Sequence, residues 1–169
     1  MRIRSFTAQQ HRLLLPEDVR DEAKENWVST QQSRRHQSID SAPFPRIVDF
    51  WFMASVFAAH RDLALPSVPS GHMFVTLGPN KNDLANFPDY WAKTLTLLAV
   101  HAYGYDDPRC VDPGEVILYG NLLAEAGGRP LLDELSARSD MASARLYVLA
   151  DVLLEESNAS RQAFADRTF

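Results

Sequence analysis

Ile47-Val-Asp-Phe-Trp-Phe-Met-Ala-Ser-Val-Phe-Ala-Ala59 holds eleven apolar side chains in thirteen positions, interrupted only by Asp49 and Ser55. A helix at a protein surface shows one apolar stripe, whereas a helix apolar on nearly every face has to be covered on most sides. The block therefore reads as the central helix of a compact domain, running from about Phe44 to Arg61 behind Pro43 and Pro45. Other helices must supply the cover.

Toward the N-terminus, Pro16 followed by Glu17 and Asp18 has the form of a helix start, because proline fits the first turn and acids suit its positive end. The helix is expected to run to about Thr30, with Val19, Ala23 and Trp27 four apart on one face. From Thr30 to Ala42 the chain is rich in Gln, Ser, Arg and His and reads as a linker or contact arm. Beyond the central block, Pro66-Ser-Val-Pro69-Ser-Gly71 breaks the chain. His72-Met-Phe-Val-Thr-Leu77 then has the content of a short strand, without an obvious partner. Pro88 opens a helix carried through Trp91, Leu95, Leu98 and Tyr103 to a stop near Gly104. Asp112-Pro113-Gly114-Glu115 supplies an N-cap, a first-turn proline and an acid at the third position. The helix behind it buries Val116, Ile117, Leu122 and Leu123 and is expected to end at Gly127-Gly128, as a left-handed cap. Arg129-Pro130 would start a short helix over Leu131 to Ala137, and Asp140 would cap a last amphipathic helix bearing Ala144, Tyr147, Val148, Val152 and Leu153. The fold class is mainly α: a compact bundle of about five or six helices around the central apolar one, with at most one short strand or extended segment. Three regions follow, a charged arm over 1–42 with a polar helix in it, a helical domain over 43–156, and a polar tail over 157–169.

Composition agrees with a packed domain. The chain has 169 residues, 46% of them hydrophobic and 10% aromatic, which is ample for one core. No stretch approaches the roughly 20 apolar residues needed to cross a bilayer. The start, Met1-Arg-Ile-Arg-Ser-Phe6, has no apolar core of a signal peptide behind its arginines. The single cysteine, Cys110, excludes an intramolecular disulfide and a cysteine-based zinc cluster. A cytoplasmic protein is the simplest fit, with no membrane partner. The net charge of −5 is split unevenly, +2 over residues 1–46 and −7 over 47–169. Binding to a nucleic-acid backbone rests on cationic neutralisation of phosphates, so only the N-terminal arm has the right sign.

Catalytic patterns are absent. There is no phosphate loop and no His-Glu-x-x-His, and His11, His36, His60, His72 and His101 include no pair at three or four residues' spacing. Cys110 would need His101 or His72 beside it to act as a nucleophile, and Asp106, Asp107 and Asp112 disfavour its thiolate. Glu22-Ala-Lys24 matches a fragment of restriction-type nucleases, but in a helical, highly charged stretch it reads as a solvated face. No catalytic, cofactor or metal residue is assigned. Two polar groups remain as contact candidates. Arg46 and Asp49, three apart at the entry of the central helix, can form an ion pair. With Phe50, Trp51 and Phe57 they would mark a partner-docking spot if that side of the helix stays open. Arg34, Arg35 and His36, flanked by Gln31, Gln32 and Gln37, could order against phosphates or an acidic protein surface.

The order of these features resembles a known group. The run Pro43-Phe-Pro-Arg-Ile-Val-Asp-Phe-Trp-Phe-Met-Ala-Ser-Val-Phe-Ala-Ala59 is followed by the Trp91–Tyr103 helix, by Val116-Ile-Leu through Glu125-Ala-Gly-Gly128, and by Leu131-Leu-x-x-Leu135. Over about residues 43–136 this is similar to the small helical accessory proteins of phosphorothioate DNA-modification (Dnd-type) bacterial defence islands. It differs at Ala58-Ala59-His60, where that pattern has a glycine-ended helix followed by basic residues. The resemblance implies a non-catalytic accessory or adaptor subunit of an anti-phage or DNA-modification complex, with larger protein subunits as partners and nucleic acid reached through them. It implies no site residues. Two other readings stand beside it: a DNA-binding subunit using the basic arm, and a nuclease or toxin whose site assembles from dispersed residues.

Overall fold

In the computed structural model, described over residues 13–29, 42–69, 74–75 and 88–138, the apolar block forms a helix enclosed on most of its faces. In chain order the elements are β1 (Leu13–Leu14), α1 (Glu17–Asn26), α2 (Ile47–His60), β2 (Phe74–Val75), α3 (Asp89–Tyr103), a 3-10 turn (Pro108–Cys110) and α4 (Pro113–Arg138). The protein is mainly helical, with four α-helices among the described residues. None of these helices is long and apolar enough to cross a membrane. The expected helix over 140–156 and the tail over 157–169 lie outside the described residues.

α2 buries Val48, Phe50, Trp51, Phe52, Ala54, Ser55, Phe57 and Ala58, which between them cover nearly every direction around its axis. Most of the cover comes from α4. The two helices meet along a seam of small residues, Ala54, Ser55 and Ala58 against Gly120, Ala124 and Gly127. A Cβ on Gly127 would lie 2.0 Å from the Ala54 carbonyl oxygen, and one on Gly120 would lie 3.0 Å from the Trp51 ring. The Ser55 hydroxyl sits between two backbone carbonyls, Trp51 at 2.9 Å on its own helix and Gly120 at 3.0 Å across the seam. Its single hydrogen serves one or is shared by both, so this buried polar group is satisfied within the seam.

That packing corrects the expected stop at Gly127-Gly128. The chain continues as one helix from Pro113 through Pro130 to Arg138. The glycines act by being small: Gly127 admits α2, and Gly128 admits Val19 of α1, whose methyl would lie 2.8 Å from an added Cβ. Pro130 removes one backbone donor from the helix, a cost of about 3 kcal/mol. A continuous helix nevertheless keeps Ala124, Gly127, Leu131 and Leu135 on one face, and Leu131, Leu132 and Leu135 are fully buried. Three leucines at about 2 kcal/mol each outweigh the proline.

The start of α4 follows the sequence closely. The Asp112 carboxylate accepts from the Gly114 N–H at 2.7 Å and the Glu115 N–H at 3.1 Å. α2 ends without glycine. Asp62 takes a left-handed φ of 50°, and the Leu63 N–H bonds back to Ala58 O at 3.0 Å. This is the Schellman arrangement, with an aspartate where glycine is the usual occupant.

Residues 13–29 belong to the core, which corrects the reading of 1–42 as an arm apart from the domain. Leu13, Leu15, Val19, Ala23 and Trp27 are all buried, so the apolar face of α1 is used as its spacing predicts. The strand expected near residue 74 also has a partner. β2 pairs antiparallel with β1, Leu13 opposite Val75 and Leu14 opposite Phe74, giving two short strands instead of one. A parallel bridge between Val28 and Phe44, with Ser29 N–H to Phe44 O at 2.9 Å, joins the end of α1 to the entry of α2.

Candidate functional site

Arg46 and Asp49 form the ion pair that their spacing predicts. The guanidinium reaches both carboxylate oxygens, at 3.1 and 3.0 Å. Their aromatic neighbours come from α3 as well as from α2. Phe52 stacks on Trp91 with ring centroids 4.4 Å apart and planes 6° apart, and Tyr90 meets both rings edge-on. The Arg46 guanidinium carbon lies 6.0 Å from the Trp91 ring centre. Tyr90 is the exposed member of this group.

Phe50, Trp51 and Phe57 are enclosed, with exposures of 0%, 0% and 5%. The open apolar side that would have made them a docking patch is absent at these residues: Phe44 meets the Phe50 ring edge-on, and α4 lies against Trp51. The Trp51 indole N–H donates to Asn121 Oδ1 at 3.2 Å, and the same oxygen accepts the Leu14 N–H at 2.8 Å. Asn121 on α4 thereby ties β1 and α2 together. These side chains hold the core, and none offers a surface.

Among the described residues, several exposed large apolar side chains lie on or between α3 and α4. Leu97 is 68% exposed, Tyr105 83% and Val111 60%, with Leu118 also at the surface. Gly104 makes the turn possible: its φ of 95° and ψ of 155° fall in a region reserved for glycine. The Asp107 N–H bonds to Gly104 O at 3.3 Å, and the Cys110 thiol donates to the same oxygen at 3.4 Å. Arg109 is engaged within the turn, its Nε on Asp107 Oδ1 and its Nη2 on Oδ2, and it lies 3.9 Å from the Tyr103 ring centre. The Arg109 hydrogen bonds hold the Asp107 carboxyl below the usual carboxylate range. Burial pushes the Tyr103 phenol up, against the opposing pull of Arg109. Burial likewise raises Tyr119, whose ring lies 5.2 Å from that of Tyr103. The sequence reading missed this corner, although Tyr90 and Leu97, seven apart, already share one helical face with Lys93.

The remaining candidates have simple placements. Cys110 is buried, and His101 is exposed on α3. Glu22 lies on α1 and pairs with Arg129 of α4, which also reaches Asp18 at 2.6 Å. Lys24 is exposed on the same helix, so the Glu22-Ala-Lys24 triplet sits on a charged helix face. Among the described residues no group of three His, Cys, Asp or Glu side chains is placed to hold a metal ion. Arg34, Arg35 and His36 lie outside the described residues.

Compared with protein-family models, curated proteins and solved structures, the chain matches none.

Proposed function

We propose that the chain is a non-catalytic accessory subunit of a bacterial anti-phage or DNA-modification defence complex, acting through protein–protein contacts. The resemblance over residues 43–136 supports the setting. The observation that carries the mode of action is the exposure of Leu97, Tyr105 and Val111, on α3 and between α3 and α4, outside a core that is otherwise well covered. Exposed apolar side chains mark interaction sites where they form a contiguous patch. Purification of the tagged chain from its native host should recover larger defence proteins. A Tyr105→Ser/Val111→Ser variant should recover them about tenfold less, the effect of losing roughly 1.4 kcal/mol of binding. Reproducible recovery of the chain alone would count against the reading.

A second reading is DNA contact through Arg34, Arg35 and His36, the local basic group that Gln31, Gln32 and Gln37 flank in the sequence. Binding of this kind should weaken steeply with salt and disappear in Arg34→Ala/Arg35→Ala. Salt-independent binding, or none at low salt, would rule it out.

A further inference from the structure

We draw no further inference here: the strongest candidate, the exposed face of α3 that Tyr90 and Leu97 share with Lys93 and His101, carries nothing because nothing in the structure shows what covers it.

Discussion

Asn121 shows how much one polar side chain in a core can hold. Its carboxamide oxygen accepts from β1 and from the α2 indole, so replacing it removes the acceptor of one buried and one half-buried donor. Asn121→Leu should cost about 2–4 kcal/mol, because each orphaned group carries a desolvation penalty of about 1–3 kcal/mol. A urea midpoint unchanged in that variant would show the bonds to be dispensable. Gly127 makes a sharper case. Alanine gains about 1 kcal/mol in helix propensity, but here its Cβ would meet the Ala54 carbonyl at 2.0 Å. Backbone cannot move aside as a side-chain tip can, so Gly127→Ala should lose about 3 kcal/mol net. Gly120→Ala, which meets a ring at 3.0 Å, should lose much less. Of the contact residues, the Arg46–Asp49 pair was legible because spacing alone determines it. Asn121 was not, since an asparagine inside an apolar helix carries no sign of what lies opposite.

At the level of elements, local chemistry marked the start of α4 and the ends of α2 and α3, near Arg61 and Gly104, but misplaced the end of α4. Asp112 caps α4 as its neighbours imply, and Asp112→Ala should cost about 1 kcal/mol while Asp112→Asn stays near neutral in thermal melts. The expected stop at Gly127-Gly128 failed because glycine has two uses, a left-handed backbone and the absence of a side chain. Sequence does not say which applies until the opposing helix is known. The reverse holds at the end of α2, where Asp62 fills a left-handed position that no glycine announces. Asp62→Gly should therefore stabilise the protein by about 0.5–1 kcal/mol, read as a raised unfolding midpoint. Two-residue strands such as β1 and β2 are too short for any alternation to show, so their pairing was illegible.

Over the whole molecule, the charged face of α1 is fastened to α4 by Arg129. Its hydrogen bond holds the Asp18 carboxyl below its ordinary value of 3.8, and the guanidinium is raised in turn, by Glu22 first and Asp18 second. A depressed carboxyl pKa contributes stability that is present above the unfolded value and lost as pH falls through the folded one. Arg129→Met should thus be less stable than the parent above pH about 5, with the gap closing below pH about 4. The gap should be on the order of 1 kcal/mol or less, because Asp18 is 67% exposed and water screens the pair. A gap independent of pH would show that Arg129 acts through packing alone. No spacing rule pairs residues 111 apart, so this link too was hidden in the sequence. The glycine seam has a further consequence, for kinetics. Its tightest contact joins Ala54 to Gly127, and the chain must close that long loop before either residue contributes anything. Helical proteins fold fast when their contacts are local. This one delays its closest packing until two distant segments have met, so its folding should be slower than its helix content alone would set.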